Sequence, residues 1–178
     1  MNIKRKLNRI IFHSLKYLIG LFVYLDHRIY MKLYNRLLKT TGLKLNGIPR
    51  FIAKSVKFDD FDLIELGDKL VVSSNVMFLT HDYSYTTALI SIGEKPKTDI
   101  GVLGKIIIGN NVFIGMNVLL LPGVTIGNNV IIGAGSIVRG SIPDDSIVSG
   151  NPAKVVKNIK EHGYKIKSKN YMKRVDSK

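Results

Sequence analysis

A spacing of six residues constrains this chain more than any other feature of its sequence. From Ile108, steps of six reach Ile114, Leu120, Ile126, Ile132 and Val138, and the positions four residues after each step are Val112, Val118, Val124, Val130, Ser136 and Ile142. Between them stand Gly109, Gly115, Gly127 and Gly133 with Asn110, Asn111, Asn128 and Asn129, residue types that tolerate the positive φ of tight corners. An α-helix needs apolar residues roughly every 3.6 positions and is weakened by glycine and β-branching, so a period of six excludes it. The pattern predicts short strands and corners stacked into a parallel β-solenoid. The same frame runs upstream through Val102 with Ile106, Val72 with Val76, Leu66 with Leu70 and, more faintly, Ile48 with Ile52. The organisation expected is a helical extension over 1–47, a solenoid over 48–157 and a basic tail over 158–178.

The frame lapses between Ser84 and Gly101 and resumes at Val102. Gly93, Pro96 and the charged Glu94, Lys95, Lys97 and Asp99 cannot fill inward faces, so a loop over about 84–101 is expected to leave the solenoid. Just before it runs Phe78-Leu79-Thr80-His81-Asp82-Tyr83, with Phe78 inward and His81 three positions later at a corner, facing outward. A lone histidine is more often a surface or structural residue than a catalytic one. With the lapse over 84–101 excised, Asn117 falls one coil beyond His81, at a strand spacing of about 4.8 Å.

The hexads over roughly residues 60–157, of the form [LIV]-G-x-x-[VS]-x, resemble the hexapeptide-repeat acyltransferases. The run Leu66-Gly67-Asp68 through Val72-Ser73-Ser74-Asn75-Val76-Met77-Phe78-Leu79-Thr80-His81-Asp82 resembles the sugar O-acetyltransferase branch of that family. The resemblance implies a mainly β chain wound as a left-handed parallel β-helix, a hand that the period itself does not fix, since parallel crossovers are usually right-handed. It also implies a homotrimer, acetyl-CoA as acyl donor, no metal, and His81 as general base. A sugar hydroxyl is a poor nucleophile at neutral pH, and a neutral imidazole of reference pKa about 6.5 can take its proton, an effect worth about 10² to 10⁴ in rate. The other ring nitrogen has to be held, for which Asp82, Glu94 or a backbone carbonyl are candidates. At Gly115-Met116 the resemblance implies a backbone amide of Met116 facing the developing oxyanion. Phe113 stands nearby where the family commonly has tryptophan.

For the coenzyme, the resemblance implies a groove between subunits, formed by the segments with Ala134 and Gly135 and with Pro152 and Lys154. Arg139 precedes Gly140, where family members often carry a lysine, so phosphate contact is expected from Arg139, Lys154 or Lys157. The glycines also have a simpler role as corner residues. Asp60 and Asp62, with Asp59, cluster before the histidine; together with Asn117 they are candidates for binding sugar hydroxyls, the alternative for the acids being solvated surface charge.

Charge is concentrated at the ends of this chain of net +14: residues 1–50 carry eleven Lys/Arg against Asp26, and residues 151–178 carry nine against Glu161 and Asp176. No zinc-finger, recognition-helix or aromatic ribonucleoprotein motif accompanies them, so nucleic acid is not the expected partner. The absence of cysteine excludes disulfides and thiolate chemistry. Residues 3–25 have the outline of a signal peptide, but Lys16 interrupts the apolar core and no small-residue cleavage site follows. The uninterrupted apolar run is short for a bilayer span. Two readings stay open: an interfacial helix with Lys4, Arg5, Lys6 and Arg9 at lipid headgroups, or a helical cap on the first coil or a neighbouring subunit. The tail with Lys160, Lys165, Lys167, Lys169, Lys173 and Arg174 reads as solvated.

The function expected is acetyl-CoA-dependent O-acetylation of a sugar in an envelope polysaccharide or its lipid-linked precursor, in the cytoplasm at the inner face of the membrane. Alternatives are a small soluble acceptor (free sugar, serine or an antibiotic), N-acetylation of an amino sugar, or a non-enzymatic trimeric scaffold. A zinc carbonic anhydrase on the same solenoid would need three converging histidines, and the coils contain His81 alone.

Overall fold

The computed structural model describes residues 3–168. Two helices come first, α1 (Ile3–Ile19) and α2 (His27–Thr40), joined by a 3₁₀ turn at Gly20–Tyr24. The first coil follows as β1 (Lys44–Leu45), β2 (Phe51–Ile52) and β3 (Lys57–Phe58), and the second as β4 (Ile64–Leu66), β5 (Val71–Val72) and β6 (Met77–Phe78). An excursion then leaves the solenoid through β7 (His81–Asp82), α3 (Ser84–Ser91) and β8 (Val102–Leu103). The coils resume with β9 (Ile106–Ile108), β10 (Val112–Ile114) and β11 (Leu119–Leu120), then β12 (Thr125–Ile126), β13 (Val130–Ile132) and β14 (Ile137–Val138). The last coil has β15 (Ser141–Ile142) and β16 (Ser146–Gly150), and the described chain closes with β17 (Ala153–Asn158) and α4 (Ile159–Ser168).

Each coil contributes one strand to each of three parallel sheets: β1-β4-β9-β12-β15, β2-β5-β10-β13-β16 and β3-β6-β11-β14. The hexad positions become three inward columns, Leu66–Ile108–Ile126–Ile142, Ile52–Val72–Ile114–Ile132–Val148 and Phe58–Phe78–Leu120–Val138. All of these side chains are buried. Removal of that apolar area from water is the main favourable term for the solenoid. The one polar member of the hexad frame, Ser136, is buried but satisfied, donating to Gly133 O at 2.6 Å and accepting from Gly150 N at 3.2 Å. At the corners, Asn75, Asn111, Asn117 and Asn129 adopt φ between 54° and 60°. Asn111 Nδ2 donates to Asn129 Oδ1 and Asn129 Nδ2 to Asp145 Oδ1, each at 2.9 Å, so the corner amides form a ladder along the stack. A Cβ at Gly67 would collide with the Gly109 carbonyl one coil on, which restricts that corner to glycine.

The two helices cover the open first coil. Asp26 caps α2 by accepting from Arg28 N at 2.7 Å. Tyr30, Tyr34 and Leu38 on one side of α2 pack with Phe12 of α1 against Ile52 and Phe61, and the Tyr30 hydroxyl donates to Ile52 O at 2.6 Å. At the other end β17 returns antiparallel on β16. The first part of the tail is solvated as expected but helical: residues 159–168 form α4 with no buried residue, Asn158 Oδ1 accepting from Lys160 N at 2.9 Å and Lys160 pairing with Asp145. Lys169, Lys173 and Arg174 lie outside the described residues.

The excursion corrects two expectations. Part of the segment expected as a loop over 84–101 is α3, and Val102, expected in the inward frame, is exposed and paired antiparallel with Asp82. Ile48, the faint upstream hexad position, is likewise exposed. The excised length also differs. Ile108 pairs with Ile126 three hexads on, as in any ordinary coil, whereas Leu66 pairs with Ile108 seven hexads on. The excursion therefore adds four hexads where the lapse in the pattern suggests three. Both lengths are whole numbers of hexads, and the phase cannot tell them apart. Asn117 stacks over Asn75, donating from its N–H to Ser74 O at 3.0 Å, and not over His81.

The columns carry an expected outcome. Leu120→Ala should cost about 2–5 kcal/mol, because the hole sits between two coils that cannot close independently. Thr125→Ala, outward on β12, should change stability by less than about 0.5 kcal/mol. Denaturant unfolding followed by circular dichroism measures both, and equal losses would contradict the assignment of inward and outward positions.

Candidate active site

His81 lies at the corner between the third and first sheets, where β6 ends and the excursion begins. One coil below, the pairing of Lys57 with Met77 and Phe58 with Phe78 brings Asp59 and Asp60 beneath Leu79 and Thr80. Thr80 is fully buried; its hydroxyl donates to Asp60 Oδ2 at 2.9 Å and accepts from Asp60 N at 3.1 Å, which fixes the Asp60 carboxylate. Nδ1 of His81 then lies 2.8 Å from Asp59 Oδ2 and 3.3 Å from Asp60 Oδ2. The Asp59 oxygen is nearer but out of line for a hydrogen bond, and it is shut off from solvent with no other donor. Asp60 Oδ2 takes the ring hydrogen bond. The three side chains are 27%, 19% and 30% exposed for His81, Asp59 and Asp60, so the pair of carboxylates acts across a partly desolvated gap.

The Asp60 acceptor at Nδ1, with the Asp59 carboxylate close beside it, favours the tautomer with the proton there and leaves the Nε2 lone pair free. The Tyr83 ring packs on the imidazole with centroids 4.8 Å apart and limits its rotation. Arg9 reaches in from α1: Nη2 is 3.6 Å from Asp60 Oδ1 and donates to the Asp59 carbonyl. One oxygen of Asp60 thus serves Thr80 and His81 while the other faces a guanidinium. Asp59, Asp60 and His81 each offer a ligand atom within 4.8 Å of the others, a spacing that could hold a cation, but Arg9 already supplies positive charge at that place.

The residues expected to hold the ring do not do so. Successive residues of an extended strand point to opposite faces. Asp82 accordingly turns away and accepts from Ser84 N at 2.9 Å at the start of α3, a bond that holds its carboxyl below the usual carboxylate range. Glu94 lies exposed beyond α3. Asp62 is exposed in the 3₁₀ turn Phe61–Leu63, beside Gly42, outside the cluster. Of the other groups around the ring, Thr80 is not singled out in the sequence, while Asp59 is read there with the acids for the acceptor and Arg9 with the basic cluster for headgroups. The hexad phase does not give the pairing, since three hexads before 79–81 lies 61–63 whereas the structure places 59–61 there, and nothing in the spacing of α1 points Arg9 at this corner.

The remaining candidates fall at other places on the prism. Gly115, Met116 and Asn117 occupy the corner between the second and third sheets, with Ala134 and Gly135 one coil on, where Gly135 N donates to Met116 O at 2.8 Å. The amide of Met116 donates to no group among the described residues. A single chain therefore does not bring Met116 or Asn117 to His81. Arg139 and Gly140 do share the His81 corner, two coils on, and Arg139 lines a cleft of about 290 Å³ with Asp82, Tyr85, Val102 and Leu121 under the excursion. Pro152, Lys154 and Lys157 stand exposed on the β16–β17 hairpin.

Residues 105–140 match the family model for the bacterial transferase hexapeptide, six repeats. The chain is 38% identical over 146 residues to Protein CapG of Staphylococcus aureus, covering 78% of this chain and 82% of that protein. It is 31% identical over 128 residues to WbbJ of Escherichia coli K12, whose name assigns it provisionally to lipopolysaccharide biosynthesis O-acetyl transfer, covering 65% of each. Among solved structures, the hexapeptide-repeat acetyltransferase VCA0836 of Vibrio cholerae O1 biovar eltor in complex with acetyl coenzyme A superposes with a TM-score of 0.55. The match is 20% identical and covers 84% of this chain and 87% of that one.

The geometry at Nδ1 can be read directly. Long-range ¹H–¹⁵N correlation spectra at pH 8 should show His81 protonated at Nδ1, and the Asp59→Asn/Asp60→Asn double variant should shift the population toward the Nε2–H form. An unchanged tautomer in the double variant would show that the carboxylates do not hold the ring.

Proposed function

Because this chain belongs to the hexapeptide-repeat transferases, whose fold is the left-handed parallel β-helix, we propose that it is an acetyl-CoA-dependent O-acetyltransferase. The acceptor in this reading is a sugar hydroxyl of a cell-envelope polysaccharide or of its lipid-linked precursor, met at the cytoplasmic face of the membrane. The observation that carries the reading is the histidine whose Nδ1 faces two carboxylates from the coil below, 2.8 and 3.3 Å away. The glycan acceptor is supported by the likeness to WbbJ, and the donor by the family.

In this mechanism Nε2 of His81 removes the hydroxyl proton as the oxygen attacks the thioester carbonyl carbon. The imidazolium that forms is stabilised by the Nδ1–H hydrogen bond to Asp60 and by the negative charge of Asp59 beside it. When the tetrahedral intermediate collapses, the C–S bond breaks and Nε2 returns its proton to the departing thiolate, giving an acetyl ester and CoA. Thr80, Arg9 and Tyr83 position the acid–base group without touching either reactant.

The oxyanion is assigned to the Met116 amide. His81 and Met116 sit at different corners of one prism, so the site is complete only where one copy's His81 corner meets a second copy's Met116 corner, which a homotrimer provides. In that groove the backbone at Gly115, Ala134, Gly135, Gly140 and Pro152 holds the pantetheine arm, and Arg139, Lys154 and Lys157 face the phosphates. Asn117 is left to the acceptor.

Release of CoA from acetyl-CoA, followed with a thiol reagent, tests this against a panel of sugars, serine and amino sugars. Turnover should appear with a sugar hydroxyl, and His81→Ala should lower kcat by about 10² to 10⁴ while acetyl-CoA still binds. Full activity in His81→Ala would remove the mechanism, and turnover confined to serine or an amino group would replace the acceptor.

A further inference from the structure

The helical cap presents chemistry that neither the solenoid nor the active site uses. α1 is turned opposite to an ordinary surface helix. Its buried side holds Phe12 and Lys16, the latter only 6% exposed, with its ammonium 5.8 Å from the Phe12 ring and 5.4 Å from the Tyr17 ring. Burial first, and Lys57 second, lower the pKa of that lysine. Leu7, Ile10, Leu18, Leu21 and Leu25 stand 54–78% exposed at helical spacing along α1 and the 3₁₀ turn after it. A continuous apolar stripe facing outward marks an interaction surface rather than a solvated one. No helix among the described residues is long and apolar enough to cross a membrane.

Shortly after Leu25 in sequence, from His27 onward, the chain lines a groove of about 660 Å³ between α2 and the segment from Leu45 to Arg50. Its apolar lining comes from Met31, Leu45, Ile48 and Pro49, and its charged lining from Arg28, Lys32, Arg36, Lys39 and Arg50, with no carboxylate among the lining residues. Arg28 has Asp26 at 3.5 Å, whereas Lys32, Arg36, Lys39 and Arg50 have no ion pair among the described residues. An apolar floor under unpaired cations suits one kind of occupant, an anionic amphiphile with its phosphate over the guanidinium and ammonium groups and its acyl chain on the floor.

We propose that this cap docks on an anionic bilayer, with the Leu7–Leu25 stripe among the acyl chains and a lipid phosphate in the groove between α2 and residues 45–50. The docking stands on the cap alone; its consequence rests on the function proposed above. Arg9, which reaches Asp60, lies in sequence between the exposed Leu7 and Ile10. The surface that meets lipid is thus adjacent in sequence to the group that touches the carboxylates of His81, which would bring a lipid-linked acceptor and the histidine to the same end of the molecule.

Flotation of the full chain with vesicles of phosphatidylcholine alone, and of phosphatidylcholine mixed with phosphatidylglycerol, tests the docking. Binding should require phosphatidylglycerol, weaken in high salt and withstand millimolar inorganic phosphate. Lys32→Glu/Arg36→Glu and Leu18→Ser/Leu21→Ser should each lower partitioning at least tenfold while acetyl transfer to a soluble sugar is retained. Equal binding to neutral vesicles, wild-type binding by the charge-reversal variant, or loss to inorganic phosphate would each overturn the lipid site. So would no flotation, with light scattering showing that Leu18→Ser/Leu21→Ser changes oligomer mass, which would assign the stripe to a second copy. Flotation without turnover on any acceptor would leave the docking intact and remove the enzymatic reading instead.

Discussion

The register of one coil on the next governs everything else in this molecule. Each inward side chain must lie over its counterpart one coil away, as Ile108 lies over Ile126, or the column breaks. Strands this short cannot hold together alone, and only their repetition along the stack gives each apolar column a continuous partner. The same register makes the corners identical in spacing from coil to coil. Outward groups far apart in sequence are thereby placed at a few ångströms from one another without any dedicated scaffold.

The histidine site is a direct product of that arrangement. Asp59 and Asp60 close one coil, His81 closes the next, and the buried Thr80 hydroxyl ties the two together. Because the carboxylates belong to a different coil from the imidazole, they approach Nδ1 from below and leave Nε2 open to the side. A neighbouring residue on the same strand could not do this, and Asp82 instead accepts from Ser84 N at the start of α3. The excursion starts at the same corner, so its helix and the cleft holding Arg139 border the histidine while the columns behind it remain unbroken.

Much of this was legible in the sequence, and the limits have physical causes. The hexads identify the inward columns from Val112 to Ile142 residue by residue; Asn111 and Asn129 fall at positive φ as expected, whereas Asn110 and Asn128 do not and bond each other between coils, and Gly109, Gly115, Gly127 and Gly133 are required by the close approach of the next coil and not by φ. His81 was legible as a corner residue because Phe78 fixes the phase. What phase cannot give is the number of hexads missing, so Asn117 was expected over His81 when it lies over Asn75. The partner of Nδ1 required knowing the length of the coil below, and the irregular turn at Phe61–Leu63 makes the step from Phe58 to Phe78 longer than three hexads. Arg9 was read as part of a basic cluster for headgroups, yet it turns inward to the carboxylates. Composition marks α1 as amphipathic but does not say which face is covered; the burial of Lys16 and the exposure of Leu18 settle that only in three dimensions.

The central claim is direct transfer through His81, with no acyl group passing onto the protein. Mass spectrometry of the intact chain after incubation with acetyl-CoA, before and after addition of a sugar acceptor, tests it most directly. The account predicts an unmodified chain in both samples and one CoA released per acetylated sugar. A chain heavier by one acetyl group that passes the label to the sugar would contradict it.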